Sequence, residues 1–344
     1  MKIRKKIEQE LDAYCARISE NRELNAISPF LFGYIKEFIR RPGKRLRPVL
    51  FVVGYLGFAR KTPRGLYTSA ISIELLHDFM LVHDDIIDKS DTRRGKPSMH
   101  KMFNDYLGRF PDIKFNGQDL AIVAGDVIYA MGVDAFLSVK ENPLCKEAAL
   151  RQLIKAALYT GSGEFIELLA GSKKIEKIEK DDIYKIYDYK TAYYSFSSPL
   201  AIGSILAGAN QTEVNKLTRY GIELGRAFQI KDDILGMFGE ENKIGKSALA
   251  DLQEAKKTLL IWYAFNHSGQ KNKSLMKNIL GRQKARRAEL LKMRELIRNS
   301  GALEYAKKEV NYALENARAI LDSSKMTGDC KKILQEYGQS ILHL

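Results

Sequence analysis

The sequence predicts an all-α protein, and two observations carry that prediction. Apolar residues recur at intervals of three and four along most of the chain, for example in the stretches 66–88, 151–171, 217–239 and 301–322, which is the spacing of one helix face. Only eight prolines interrupt the 344 residues, and alternating strand patterns are scarce. Ordinary helices of about 11–12 residues then imply roughly ten or more helices.

The breaks between these helices are short and do not divide the chain. They are turn-forming segments such as "RRPGKRLRP", "RRGKP" and "GEENKIGKS", which carry glycine or proline. No Gly/Ser-rich linker and no repeat of fixed period separates two halves. The small residues of "AIGSILAGA", from Ala201 to Ala209, are typical of a helix that is buried on most sides. We therefore expect a single domain over residues 1–344.

The composition points to an anionic partner in a cytoplasmic protein. Lys and Arg number 56 against 42 Asp and Glu, a net charge of +14, which suits phosphate, nucleic acid or a membrane surface. Three widely spaced cysteines are typical of reduced thiols. Neither a signal-peptide core nor an apolar run long enough to span a membrane is present in the sequence. The basic segment 271–298 favours a solvated face, and peripheral membrane contact stays open.

The stretch "HDDIIDKSDTRRG" after His83 carries the first candidate site. Asp84 and Asp88 are four residues apart, so on a helix both side chains lie on one face. Like charges at this spacing destabilise a helix by a few tenths of a kcal/mol unless a cation lies between them. Mg²⁺ fits, because it prefers carboxylate oxygens and shares its shell with substrate phosphates.

A second acidic pair, Asp232 and Asp233, occurs in "AFQIKDDILGMFG". Two such pairs predict opposed walls of a cavity that holds several Mg²⁺ ions and an anionic group. Basic residues near glycines and helix ends suit phosphate, since guanidinium forks bind it bidentately and lysines act as point charges. These residues are Lys44, Arg45, Arg47, Arg93, Arg94, Lys190, Lys246 and Lys256. Together they predict two diphosphate sites, one bridged by metal and one held by bases alone.

Two other kinds of site are excluded. "GEENKIGKS" lacks the spacing of a phosphate-binding P-loop, because five residues rather than four separate Gly239 from Gly245, and a helix rather than a strand precedes it. His77 and His83 are six residues apart and would point to different faces of one helix, which does not suit zinc.

With these motifs in hand, the chain resembles the trans-isoprenyl diphosphate synthases of the polyprenyl synthetase family, from about residue 20 to about residue 330. The pattern is most similar to archaeal-type geranylgeranyl diphosphate synthases. The resemblance implies the isoprenoid synthase fold, with antiparallel helices around a central active-site cavity. It also implies that Asp84, Asp88 and Asp232 bind metal, with three Mg²⁺ ions or alternatively Mn²⁺, and that Asp85 lies beside them.

The resemblance further implies the substrate contacts. The residues that match contacts to isopentenyl diphosphate are Lys44, Arg45, Arg47, His77 and Arg94. Those that match contacts to the allylic diphosphate are Arg93, Lys190, Thr191, Gln229, Lys246 and Lys256. The catalytic set is Asp84, Asp85, Asp88, Arg93, Lys190 and Lys246. A homodimer is implied as well, and we expect no nucleic-acid partner.

The chain departs from the family pattern at three places. Gly236 stands where many members carry Asp, and the pattern tolerates it. Glu164 stands where Gln is usual and Glu167 where Asp is usual, so we expect an extra negative charge on that wall of the site. The segment Gly108–Asp119 is longer than expected and predicts a surface insertion.

The implied reaction is a head-to-tail condensation. Metal and bases stabilise charge on the departing diphosphate, the allylic carbocation forms, and the isopentenyl double bond attacks it. Phe79 and Met80 precede Asp84 by five and four residues, about one helical turn deeper under the substrate tail. A large aromatic there predicts a C20 product, with C15 as runner-up and C25 or longer less favoured, although simple core packing also accounts for Phe79.

Three rival functions were weighed. A class I terpene cyclase also uses an aspartate-rich ledge but would not need "GKRLRP". A regulatory subunit of a heteromeric synthase would lose acids that this chain keeps. A nucleic-acid-binding protein would explain the charge of +14 but not two acidic pairs in apolar helices.

Overall fold

The computed structural model describes residues 2–239, 252, 256–282 and 286–342. Helices account for nearly all secondary structure in these ranges, so the all-α prediction is confirmed. The strands there form one antiparallel pair, β1 (Thr92–Arg93) and β2 (Lys96–Pro97). Contacts group the chain into two compact units, Met1–Leu153 with Ile202–Ala209, and Ile154–Ala201 with Asn210–Leu344. The single-domain organisation stays a prediction.

The first unit contains the first acidic motif. Its helices are α1 (Lys2–Glu20), α2 (Arg22–Ile27), α3 (Pro29–Ile39), α4 (Leu46–Leu56), α5 (Leu66–Ile87), α6 (Met99–Leu107) and α7 (Gly117–Phe136), with the start of α8 (Pro143–Ser172) and the end of α10 (Ser198–Leu206).

The second unit contains the second acidic motif. It begins within α8 and continues through a 3₁₀ turn (Ile175–Lys177), α9 (Lys180–Ile186), a π-helical segment (Tyr187–Ser197) and the start of α10. It is completed by α11 (Gln211–Phe238), α12 (Leu259–Asn266), α13 (Gln270–Leu280), α14 (Arg287–Asn299), α15 (Ala302–Ser323) and α16 (Gly328–Leu342).

Local sequence signals set several of the helix ends. Ser28 caps α3 by accepting a hydrogen bond from the Leu31 amide, and Pro29 occupies the first turn, where a missing N–H costs nothing. Asn116 and Asp119 form a capping box at the start of α7. The exposed residues 108–116 lead into that helix.

A left-handed glycine sets the entry to α5, the helix that carries the first motif. Gly65 has φ +82°, and a Cβ there would overlap the carbonyl oxygen of Ser138. Any other residue would be strained by its backbone angle and would also push the chain away. Gly65 therefore fixes where α5 begins in the first unit.

The core of the first unit joins α5 to α7. Ile71, Leu75 and Val82 of α5 are fully buried, as are Ala124 and Ile128 of α7. Small side chains on α7 let the two helix backbones approach closely. In α10, residues 201–204 are also mostly small, and they are buried as predicted.

The core of the second unit joins α11 to the π-helical segment. A Cβ at Gly221 would overlap the backbone of Ser197, and one at Gly225 would overlap Ala192. The glycines thus allow direct backbone contact, which brings the polar end of α11 beside the polar face of the π-helical segment. In the ranges given above, no helix is both long and apolar enough to cross a membrane.

Candidate active site

The first acidic motif lies at the C-terminal end of α5. Asp88 is the C-cap residue, and its amide donates to the carbonyl oxygen of Asp84 at 2.8 Å. Both carboxylates are partly exposed. A helix C-terminus carries partial negative charge, so two carboxylates there are unfavourable without a cation. Paired carboxylate oxygens at this spacing fit Mg²⁺ as ligands.

Asp85, the neighbour of Asp84, points inward instead. Its side chain is fully buried, and Arg93 on β1 donates from Nε to Asp85 Oδ1 at 2.8 Å and also from Nη2. The Nη2 atom of Arg93 lies 3.5 Å from Asp84 Oδ2. Burial raises the pKa of Asp85 above its ordinary value, although Arg93 opposes the shift. Arg93 therefore links a buried acid to a predicted metal ligand.

Arg94 follows Arg93 but points elsewhere. Its φ of 54° is left-handed, and its Nη2 lies 3.3 Å from Asp78 Oδ1 and 3.9 Å from Glu74 Oε1. Asp78 is fully buried one turn after Glu74 on α5. Burial, with Glu74 adding to it, raises the pKa of Asp78 to about 7.

Among the predicted phosphate ligands that the structure describes, Arg45 is the most enclosed. Its guanidinium is buried and donates to Glu74 Oε1 at 2.7 Å, to Glu8 Oε1 at 3.1 Å and to the carbonyl oxygen of Arg41 at 2.7 Å. Lys44 beside it is exposed and Arg47 is half-buried. Of the three basic residues in "GKRLRP", Arg45 thus lies behind the other two.

His77 joins this basic group. Burial, followed by the positive charges of Arg47, Arg94, Arg93 and Arg45, holds the pKa of His77 well below its ordinary value. The imidazole is therefore neutral at pH 7. The structure brings together the predicted contacts His77, Arg47 and Arg94 at one place in the first unit.

The second acidic motif repeats the inward and outward arrangement. Asp232 on α11 is exposed and Asp233 is buried. The Tyr187 hydroxyl donates to Asp233 Oδ2 and accepts a 3.0 Å hydrogen bond from the Leu259 amide. Burial and the neighbouring Asp233 raise the pKa of Tyr187 well above its ordinary value, so the phenol stays protonated as a donor.

Gln229 extends this network toward the π-helical segment. Its amide nitrogen donates to Asp233 Oδ1 at 2.9 Å, and its amide oxygen accepts from the Thr191 hydroxyl at 2.7 Å. Gln229 and Thr191 are both predicted allylic contacts, and the structure places them side by side. Gly236 lies two turns beyond Gln229 on the same helix.

Lys190 lies between two carboxylates of α8. Its Nζ is 2.7 Å from Glu164 Oε2 and also contacts Glu167 Oε2. Two of the residues that depart from the family pattern, Glu164 and Glu167, therefore contact a predicted phosphate ligand. Lys256 is half-buried, whereas Lys246 lies outside the described residues.

Phe79 and Met80 are half-buried on α5. The Phe79 ring lies 5.3 Å from the ring of Tyr129 on α7 and 4.7 Å from that of His83. Phe79 is thus fixed by a second helix, as a pocket floor requires.

Sequence analysis did not identify some of the residues that lie near the two acidic motifs. Glu74 and Asp78 have the same four-residue spacing as Asp84 and Asp88 on the same apolar helix, so that spacing could have identified them. Tyr187 carries no such signal, because its role depends on contacts with α11 and α12. The prediction that the two acidic motifs face one ligand stays a prediction.

Comparisons with known proteins agree with these motifs. The family model described as Polyprenyl synthetase matches residues 28–297. A geranylgeranyl diphosphate synthase of Saccharolobus solfataricus is 32% identical over 310 residues, which cover 86% of this chain and 85% of the relative. A geranylfarnesyl diphosphate synthase of Aeropyrum pernix is 32% identical, covering 85% of this chain and 86% of that protein.

The comparison with solved structures identifies proteins of similar fold. The crystal structure of a geranylgeranyl pyrophosphate synthase from Corynebacterium glutamicum, complexed with isoprenyl diphosphate and magnesium, matches with a TM-score of 0.88. The match covers 99% of this chain and 98% of the other at 22% identity. This likeness shows the isoprenoid synthase fold.

Proposed function

This chain belongs to the polyprenyl synthetase family and is a short-chain trans-prenyltransferase, and from that premise we propose that its product is geranylgeranyl diphosphate. The substrates are isopentenyl diphosphate and an allylic diphosphate. The observation that supports the reaction is the end of α5, where Asp84 and Asp88 are partly exposed and the hairpin places Arg93 beside Asp84.

The metal ligands that we propose are Asp84, Asp88 and Asp232. Their carboxylate chemistry fits Mg²⁺, and we propose three ions per site, with Mn²⁺ as an alternative. The bound metal neutralises negative charge on the departing diphosphate. Arg93 of this chain then has two roles, because it holds Asp85 and contacts the allylic diphosphate.

The isopentenyl diphosphate is held by bases. Lys44, Arg47 and Arg94 supply positive charge, and neutral His77 supplies a hydrogen bond. Arg45 contributes mainly by position, since Glu74 and Glu8 already occupy its guanidinium. On the allylic side, Lys190, Thr191, Gln229 and Lys256 complete the diphosphate contacts, with Lys246 expected to join them.

Product sizing tests the function directly. Purified protein is incubated with Mg²⁺, isopentenyl diphosphate and, separately, the C5, C10 and C15 allylic diphosphates, and the products are dephosphorylated and sized. We expect C20 from each primer. A C15 product, or a C25 product of the kind named for the Aeropyrum pernix relative, would correct the product while keeping the reaction.

Phe79→Ala tests the floor of the pocket. Removing the ring opens space where Phe79 meets Tyr129, so we expect products at least one C5 unit longer than those of the native chain. Phe110→Ala is the matched control, because this phenylalanine is 48% exposed on the surface loop and its loss should not change the products. An unchanged profile for Phe79→Ala would exclude Phe79 as the floor.

A second copy of this chain is the proposed protein partner. On the part of α8 that belongs to the second unit, the exposed apolar residues Ile154, Leu158, Phe165 and Leu169 recur at helical intervals, and a Cβ at Gly161 on the same face would contact nothing. Such a stripe costs free energy in water unless it is covered. Sedimentation equilibrium, with twice the chain mass expected, tests the homodimer.

A further inference from the structure

Lys190 is shared by two carboxylates where one would neutralise it. The side chains of Lys190, Glu164 and Glu167 are 23%, 17% and 22% exposed. Water therefore reaches them only partly, and their charges interact more strongly than those of surface pairs. With both glutamates ionised, the three groups carry a net charge of −1.

The backbone fixes this arrangement. Glu164 and Glu167 are three residues apart on α8 and share one face. A Cβ at Gly163 would overlap the backbone of Tyr189 and Lys190, so α8 and the π-helical segment are in direct contact beside the lysine. The rings of Tyr159 and Tyr189, 5.1 Å apart, join the same two elements. The backbone of Lys190 is therefore held where its side chain can contact both glutamates.

We propose that Glu164 competes with the allylic diphosphate for Lys190, whereas Glu167 holds the lysine in position. This inference rests on the proposed function, which gives Lys190 a diphosphate to bind. A diphosphate that approaches Lys190 meets the excess negative charge of the glutamates and must share or replace the contact with Glu164. Glu164 therefore weakens binding of the allylic substrate, and equally of a product that carries the same diphosphate group.

Glu164→Gln tests the proposal, because glutamine keeps the shape and removes the charge. Lys190 stays held by Glu167 while the net charge of the three groups rises from −1 to zero. We expect KM for the allylic diphosphate to fall about three- to tenfold, with KM for isopentenyl diphosphate unchanged. The gain should shrink at high salt, because salt screens partly exposed charges.

Further variants separate competition by Glu164 from positioning by Glu167. Glu167→Gln should raise KM for the allylic diphosphate, since it removes the residue that holds Lys190. Glu147→Gln is the matched surface control, because Glu147 lies on the same helix, is 58% exposed and forms an ion pair with Arg151; it should leave both KM values unchanged. In a Lys190→Gln background, Glu164→Gln should give a smaller gain, because only direct repulsion of the diphosphate is then relieved.

A direct binding measurement distinguishes failure of the competition by Glu164 from failure of the proposed function. An unreactive allylic thiolodiphosphate is titrated with Mg²⁺ into the native chain and into Glu164→Gln by calorimetry, with thermal unfolding as a check on folding. Tighter binding by the folded variant supports the competition. Equal or weaker binding overturns it, while the function stands. Absence of binding and turnover in the native chain would instead reject the proposed function.

Discussion

The two acidic motifs orient their adjacent aspartates in the same way, with one at least partly exposed and one buried. Successive residues on a helix point about 100° apart, so neighbouring aspartates cannot both face one ligand. In the first motif Asp84 is 24% exposed and Asp85 fully buried. In the second, Asp232 is exposed and Asp233 is buried. In each pair the outward acid is a proposed metal ligand, and the inward acid accepts hydrogen bonds from its own unit.

The two motifs differ in what holds the inward acid. Arg93, a charged partner, holds Asp85, whereas the neutral groups of Tyr187 and Gln229 hold Asp233. Arg93 also reaches toward Asp84 and is a proposed phosphate ligand, so the first motif can share its cation with substrate. Tyr187 and Gln229, by contrast, carry no charge of their own.

The two motifs therefore differ in chemistry although each contains a pair of adjacent aspartates. The first combines buried charges of both signs, whose balance depends on ligands and on pH. In the second, a buried acid accepts hydrogen bonds from the neutral side chains of Tyr187 and Gln229, and such bonds are costly to break when buried. We expect the first motif to respond to ligands and pH, and the second to act as a rigid frame.

Asp84→Asn should have the largest effect. It removes half of the outward carboxylate pair without changing its shape, so metal affinity and charge stabilisation are lost together. We expect kcat to fall by about 10²–10³-fold, while the free energy of unfolding stays the same or rises, because a repulsive charge at a helix C-terminus is removed.

The control for Asp84→Asn is Asp91→Asn. Asp91 lies just beyond the motif with a 71% exposed side chain, and its replacement should leave kcat within about twofold, as surface changes usually do. Steady-state kinetics at saturating Mg²⁺ measures both. If the two variants lose activity equally, the outward position of Asp84 has no special role.

Tyr187→Phe should have the next largest effect, this time on stability. The change removes the hydroxyl that donates to Asp233 and accepts from Leu259, leaving two buried polar groups without that partner. We expect the free energy of unfolding to fall by about 1–3 kcal/mol. Urea unfolding compares it with Tyr312→Phe, whose side chain is 65% exposed. Equal stabilities would show that the second motif needs no such frame.

The sequence predicted the helices and the outward acids because both depend on local periodicity. Helical spacing identified Asp84 and Asp88 as a pair, and the structure keeps them at one helix end. The enclosed position of Arg45 was beyond sequence reasoning, since it depends on Glu8 from a different helix. The role of Tyr187 depends likewise on tertiary contact. The sequence alone does not show which residue pairs with each charged side chain.

Asp78, on the same helix as the first motif, should give the sharpest contrast, because its effect on stability depends on pH. Its carboxyl is fully buried in the first unit, with Glu74 on the same helix and Arg94, Arg45 and Arg47 facing it. Its pKa is raised from 3.8 to about 7. Between these values the folded chain binds more protons at this group than the unfolded chain, so Asp78 makes stability fall as pH rises through that range.

Asp78→Asn should remove this contribution, because asparagine does not titrate. From about pH 4 to pH 7 the native chain should lose on the order of 2 kcal/mol of unfolding free energy relative to the variant. Urea unfolding at several pH values measures the difference, and Asp105→Asn, at an exposed position of α6, should track the native chain throughout. A constant difference between the native chain and Asp78→Asn would mean that Arg94 keeps this carboxylate ionised over the whole range, and that the first motif is as insensitive to pH as the second.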